Sequence, residues 1–173
     1  MSESALRAAL LIALSLTLLL IPLPGCTPQA ELLPAGKAKV VRVIDGDTIV
    51  ACAHRRCFKV RYIGIDTPER GEPFYREAAE ANRKLVLGKE VWLERDVEDK
   101  DRYGRALRYV YVLKDGRKEV FVNAWLVRYG YARAYIIKPN TKYASYLLEL
   151  EEEAKREKRG IWGIHEMAEV SRG

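Results

Sequence analysis

The sequence predicts an α+β, mainly β protein, a small five-stranded β-barrel with three helices attached. Three observations point there. Five short runs rich in β-branched and aromatic residues lie between Val40 and Leu113. Three other segments space their apolar residues as helices do. Strands and helices do not alternate regularly, which argues against a parallel βαβ sheet and for a barrel. At 173 residues the chain has room for one domain with a proper core plus an extra segment.

The extra segment comes first. Ala8 to Leu23 is apolar except for Ser15, Thr17 and Pro22, follows Arg7, and ends at Pro24-Gly25-Cys26. That stretch is short for a spanning helix and suits the apolar region of an export signal. The expectation is a lipoprotein-like signal peptide over residues 1–25, with Cys26 as the lipidated first residue. Pro24 stands where that pattern usually has a small or β-branched residue. An uncleaved N-terminal membrane anchor is the alternative. Either reading exports the rest of the chain, to the cell envelope or as a secreted protein. Thr27 to Gly36 holds two prolines and a glycine and reads as a tether.

The domain is expected over 37–165, with a short C-terminal tail at 166–173. Val40 to Ile44 and Thr48 to Ala51 read as strands, with Gly46 permitting a sharp bend between them. Phe58 to Ile63 alternates apolar and polar residues, and Thr67-Pro68 stops the strand that follows. Glu72 to Leu87 is expected as a helix, with Gly88 at its C-cap. Glu90–Glu94 and Leu107–Leu113 are two more strands, and Asp115-Gly116 is a turn signal. Val120 to Tyr129 is expected as the second helix and Tyr143 to Arg159 as the third, each closed by a glycine. Lys138-Pro139-Asn140 is a loop.

Of the three cysteines, Cys52 and Cys57 flank Ala53-His54-Arg55-Arg56 between two β-like runs. A four-residue hairpin loop there would set them opposite each other, so a disulfide is the leading reading in an oxidising compartment. Zinc on Cys52, His54 and Cys57 is the alternative, short of a fourth ligand.

Formal net charge is +6 and the pI is near 9.2, which suits a polyanionic partner such as nucleic acid or an anionic membrane surface. Gln occurs once and Asn three times while Glu, Lys and Arg abound, a balance that leans towards a heat-adapted source. Asp47 and Asp66 come from separate segments and can hold a hard cation through oxygen. Arg61 and Arg105 can bracket a phosphate, and Glu69 can take a proton from water. Together these are the parts for metal-assisted hydrolysis of a phosphodiester. Each has a plainer reading. Asp45-Gly46-Asp47 can be only a turn, and Asp66-Thr67-Pro68-Glu69 a strand exit. Arg61 and Arg105 can pair with Asp101 or Glu94, and Tyr109 and Tyr111 read as core or strand aromatics.

The joint pattern resembles the staphylococcal nuclease (thermonuclease) family. Its landmarks occur in order from Val40 to Trp162: Val43-Ile44-Asp45-Gly46-Asp47-Thr48, Arg61 before Ile65-Asp66-Thr67-Pro68-Glu69, Asp101-Arg102-Tyr103-Gly104-Arg105, Ala134-Tyr135 before Lys138-Pro139-Asn140, and Gly160-Ile161-Trp162. The resemblance implies an OB-fold barrel that cleaves DNA and RNA, single strands favoured, with low sequence specificity and 3′-phosphate ends. It implies Ca²⁺ on Asp47, Asp66 and the Thr67 carbonyl, phosphate contacts from Arg61 and Arg105, and help to the attacking water from Glu69. Tyr103 and Tyr135 would line the nucleotide pocket of a monomeric enzyme. Two departures stand out: Ile137 falls where the best-known member has a second pocket tyrosine, and Arg70 to Pro73 is shorter than the matching segment there. The other classes open to such a barrel are a nucleic-acid-binding module without catalysis and an envelope lipoprotein with a structural role.

Overall fold

A computed structural model describes residues 32–163. The signal segment, Cys26, the first half of the tether and the C-terminal tail lie outside the described residues. Eight strand segments appear among those described: β1 (Gly36–Val43), β2 (Thr48–Ala53), β3 (Arg56–Tyr62), β4 (Ile65–Asp66), β5 (Glu90–Glu94), β6 (Ala106–Lys114), β7 (Arg117–Phe121) and β8 (Arg133–Ala134). Three helices accompany them: α1 (Tyr75–Val86), α2 (Val122–Arg128) and α3 (Ala144–Arg156), followed by a 3₁₀ turn at Gly160–Trp162.

The order β3-β2-β1-β5-β6 closes on itself because β3 also pairs with β6 in parallel. That is the expected five-stranded barrel, of the OB-fold kind. β7 adds to its edge through β6, and β4 with β8 forms a separate ribbon. Closure removes unpaired edges from these strands. Alternate residues Val40, Ile49, Ala51, Val60, Val91, Leu93 and Val110 point inward and are fully or almost fully buried. Leu126 of α2 and Leu147 of α3 are fully buried in the same core.

Three local readings are corrected. The segment expected as a helix from Val120 starts as strand: Val120 pairs with Val112 and Phe121 with Tyr111, and the helix begins only at Val122. Phe121 stacks on Tyr111 at 4.6 Å between ring centroids, so cross-strand packing overrides the helical pattern for its first two residues. The first helix begins at Tyr75 rather than Glu72, because Phe74 sits at φ 72°, which breaks helical backbone. The β2–β3 hairpin loop is two residues long. His54 and Arg55 both have positive φ, as a type I′ turn demands, so Ala53 and Arg56 remain paired.

The end of the expected tether is part of the folded body. Leu33 is buried. Its N–H donates to Asp99 at 2.9 Å, and its carbonyl accepts from Arg108 at 2.8 Å. Arg108 is fully buried and also donates to Asp99 Oδ1 at 2.7 Å. A buried charge survives only when paired and hydrogen-bonded, and here a carboxylate and several carbonyls supply that.

Candidate active site

The bend between β1 and β2 is a tight turn in which the N–H groups of Ile44 and Asp45 both approach the Thr48 carbonyl, at 2.9 and 3.3 Å. The Asp45 carboxylate accepts the Asp47 N–H at 3.1 Å, an Asx-type closure. Gly46 lets another segment come close: a Cβ there would lie 2.7 Å from three side-chain atoms of Thr67. This contact sets Asp47 against Thr67. Asp47 Oδ2 accepts both the Thr67 N–H and hydroxyl at 2.9 Å, and Oδ1 accepts the Thr48 hydroxyl at 3.0 Å. Asp47 is 5% exposed.

Arg61 lies opposite Thr48 in the β2–β3 register. Its Nε is 3.1 Å from Asp47 Oδ1, and Nη2 donates to Asp66 Oδ1 at 2.7 Å. Nη1 donates to the carbonyls of Tyr62 and Ile65, each at 2.8 Å. One guanidinium therefore joins the two carboxylates that arrive from the turn before β2 and from β4. Neither Asp101 nor Glu94 is its partner.

The charge here leans negative. Burial raises the Asp66 pKa, opposed by Arg61 and reinforced by Asp47, Glu69 and Glu72. Burial and then Asp47 raise the Asp45 pKa as well. Ionised carboxylates held against such a cost are what a hard divalent cation relieves. Asp47, Asp66 and the Thr67 carbonyl fit one by donor chemistry. Among the described residues no group of three or more His, Cys, Asp and Glu side chains is clustered for a metal; Asp47, Asp66 and Thr67 line one hollow.

Glu69 follows on an exposed turn. Its N–H donates to the Glu72 carboxylate at 2.7 Å, and the Glu72 N–H returns to the Glu69 carbonyl at 2.9 Å. This reciprocal closure holds the short Arg70–Pro73 segment before α1.

Arg105 is positioned by Asp101. One Asp101 oxygen accepts the N–H groups of Tyr103 and Arg105 at 2.9 Å, and the other accepts Arg105 Nε at 2.6 Å. Gly104, at φ 75°, permits this loop to close. The surface pair foreseen with Asp101 is thus present. It occupies Nε only, and the Nη groups of Arg105 make no hydrogen bond or ion pair among the described residues. The Tyr103 ring, 67% exposed, is flanked by Arg102 at 4.8 Å and Arg105 at 5.4 Å.

Two adjoining depressions result. A cleft of about 440 Å³ is lined by Tyr103, Tyr135 and Ile137, with Arg61 and Arg105 on its wall. A second, of about 430 Å³, holds Asp47, Asp66, Thr67 and Glu69 and has the same two arginines on its wall. The structure thus brings all six proposed metal, phosphate and water-handling residues around one hollow, with both tyrosines next door.

Sequence reasoning missed Asn82, which is fully buried. It accepts the Tyr62 hydroxyl at 2.9 Å and donates to the Asp45 carbonyl at 3.0 Å, tying α1 to the carboxylate turn. The available signal was an asparagine on the apolar stripe of Ala78, Ala81 and Leu85. Asn123 was also missed; fully buried, it bridges the Val110 N–H and the Ile63 carbonyl, both at 2.9 Å. Tyr109 is a core aromatic, 1% exposed. Cys52 and Cys57 face each other across the β2–β3 ladder and are joined as a disulfide.

Comparison with known proteins points to the same family, although the family model begins after the Asp45-Gly46-Asp47 turn. A family model described as "Staphylococcal nuclease homologue" matches residues 59–163. The chain is 38% identical over 130 residues to the thermonuclease of Staphylococcus hyicus, covering 72% of this chain and 74% of that protein. It is 42% identical over 129 residues to the SPbeta prophage-derived endonuclease YokF of Bacillus subtilis and 41% identical to endonuclease YncB of the same organism. Each covers 70% of this chain, but the chain spans only 42% and 59% of those two proteins.

Proposed function

This chain belongs to the staphylococcal nuclease family and is a nuclease hydrolase, and from that premise we propose a calcium-dependent extracytoplasmic enzyme that cleaves DNA and RNA and leaves 3′-phosphate ends. The observation that carries this reading is the shared hollow: two carboxylates and a carbonyl for a cation, two guanidiniums on the wall towards the tyrosines, and a free carboxylate, Glu69, on the rim.

Asp47, Asp66 and the Thr67 carbonyl would hold Ca²⁺, which when bound supplies Lewis-acid polarisation of a phosphoryl oxygen. The chain's own groups do the rest. Arg105 offers the Nη groups left free by its single contact with Asp101 and grips the scissile phosphate. Arg61 has five N–H groups; three donate to Tyr62, Ile65 and Asp66, and Nε faces Asp47. Its free Nη2 hydrogen is aimed by those contacts before substrate arrives, which is the preorganisation that stabilises charge building on the phosphoryl oxygens. Glu69 is exposed and accepts a proton from, or orients, the attacking water. Water attacks phosphorus, the bond to the 5′ oxygen breaks, and the proton from water is taken up as that oxygen leaves. Tyr135 and Tyr103 are both more than half exposed, Tyr103 with Arg102 and Arg105 over its ring, and offer aromatic surface on which unpaired bases stack, which favours single strands and makes little distinction among bases.

An exported, lipid-anchored location through Cys26 or an uncleaved anchor belongs to the same proposal. It rests on the apolar segment of residues 8–23 and on the Cys52–Cys57 disulfide, which suits an oxidising compartment. A monomer is proposed with it. The test of function is release of acid-soluble nucleotides from denatured DNA and from RNA with Ca²⁺ and with EDTA. Release with Ca²⁺ that EDTA abolishes supports the reading. No release under either condition removes it.

A further inference from the structure

A third depression, of about 360 Å³, adjoins the carboxylate hollow and has no lining residue in common with the tyrosine cleft. It shares Asp66, Thr67, Pro68 and Glu69 with the hollow, just as the cleft shares Arg61 and Arg105 with it. The three form one run: tyrosine cleft, arginine wall, carboxylate hollow, Glu69 rim, third depression. A polymer seated with one nucleotide in the cleft and its scissile phosphate at the arginines has its next unit directed over the Glu69 rim.

The far wall of this depression carries Arg133, on β8, opposite Asp66 in the β4–β8 ladder. A carboxylate directly across the strand is the natural partner of such an arginine. Asp66 is instead turned to Arg61, at 2.7 Å. Arg133 forms no ion pair among the described residues. It is braced from behind: its guanidinium lies 5.7 Å from the centre of the Trp162 ring, whose environment also includes Lys155 at 4.9 Å. Its strand is anchored too, since the Ala134 N–H donates to the buried Glu151 carboxylate at 2.9 Å. A guanidinium with no ion-pair partner among the described residues, braced on an anchored strand in a depression continuous with a phosphodiester site, is a preformed phosphate contact.

We propose that Arg133 binds the backbone phosphate adjacent to the scissile one, on the far side from the tyrosine cleft, and so directs the enzyme to phosphodiesters inside a chain. The acidic wall of the same depression, Glu69 and Glu72, keeps that phosphate on the Arg133 side. This inference rests on the nuclease reading, and its test separates the two.

The substrates are a dinucleoside monophosphate, which has the scissile phosphate alone, and a longer single-stranded oligonucleotide. Wild-type cleavage of neither would sink the nuclease reading itself. With wild type active, Arg133→Ala is expected to lower kcat/KM for the oligonucleotide about tenfold, as loss of a charged hydrogen bond does, and to leave that for the dinucleoside monophosphate unchanged. The dependence of log kcat/KM on log salt for the oligonucleotide should flatten by about 0.7, one phosphate contact on a single strand. Arg133→Lys should recover part of both effects, because it keeps the charge without the fork. An unchanged oligonucleotide rate in Arg133→Ala would overturn the proposal. Equal losses on both substrates would overturn it as well, since they would mean that Arg133 only supports the fold.

Discussion

Adding one methyl group at Gly46 should disable the site more than it weakens the fold. The Cβ of Gly46→Ala would sit 2.7 Å from Cβ, Cγ2 and Oγ1 of Thr67. Ordinary carbon contacts lie at about 3.5–4.0 Å, so the β1–β2 turn and Thr67 must part by roughly 1 Å. Thr67 cannot yield at a flexible tip, because its own Cβ is one of the atoms met. Its N–H and hydroxyl hold Asp47 at 2.9 Å, so the shift passes directly to a proposed metal carboxylate. Overpacking of this kind costs about 1–3 kcal/mol, or roughly 4 °C of Tm per kcal/mol for a domain of this size. Misplacement by about 1 Å at a reacting centre costs on the order of a hundredfold in rate. The control is Gly88→Ala, at φ 74° with no atom within 4 Å of the added Cβ. It incurs only left-handed backbone strain, about 1–2 kcal/mol. Thermal melts and initial cleavage rates well below both melting temperatures would compare the pair. The expectation is similar losses of Tm and a hundredfold loss of rate in Gly46→Ala alone. Near-wild-type kcat and KM in Gly46→Ala, or equal rate losses in both variants, would refute the reasoning.

Three further outcomes follow from the same geometry. Ca²⁺ at a hundred times its Kd should stabilise the fold by about 2.7 kcal/mol, and Asp66→Asn should abolish that rise in Tm; an undiminished rise would move the cation elsewhere. Burial pushes the Glu94 pKa up, but hydrogen bonds from Lys118, Lys142 and Tyr143 outweigh it and hold the group at about 2. With the folded pKa depressed, Glu94 stabilises the fold above the ordinary carboxylate range, and this is lost as pH falls from about 4.5 towards 2. Glu94→Gln should therefore lower stability at pH 7 by roughly 1 kcal/mol for partly exposed partners, read as a lower Tm, and the gap to wild type should close near pH 2; a gap independent of pH would contradict this. Reduction of Cys52–Cys57 should lower stability by roughly 2 kcal/mol for so small a loop, read as a fall in Tm, more than it lowers activity at moderate temperature; two freely alkylated thiols in the unreduced protein would contradict the bond.

What was legible in the sequence was whatever short-range pattern dictates. Alternation in Phe58–Ile63 and the glycine at Gly88 foretold β3 and the end of α1, because each signal acts on its own segment. The ordered motifs foretold which residues gather at the hollow. Three things were not legible because distant contacts decide them. Phe121 is strand rather than helix because Tyr111 lies opposite it. Leu33 belongs to the body because Arg108, far along the chain, needs its carbonyl. Arg61 reads in the sequence as a phosphate contact or a partner of Asp101 or Glu94, yet its side chain is only 14% exposed and spans Asp47 and Asp66. Arg61→Lys would thus lose stability along with rate, and it is a poor probe of chemistry by itself.

Glu69 and Arg105 are better probes. Glu69 is exposed, and Arg105 uses one group to reach Asp101. Single-turnover cleavage of a single-stranded oligonucleotide in saturating Ca²⁺, by wild type, Glu69→Gln and Arg105→Lys at equal fraction folded, isolates the chemical step. A slowing of about a hundredfold or more in each variant, the loss that follows removal of one preorganised donor or base, is the predicted result. Wild-type rates in both variants would contradict the assignment of this hollow as the catalytic centre.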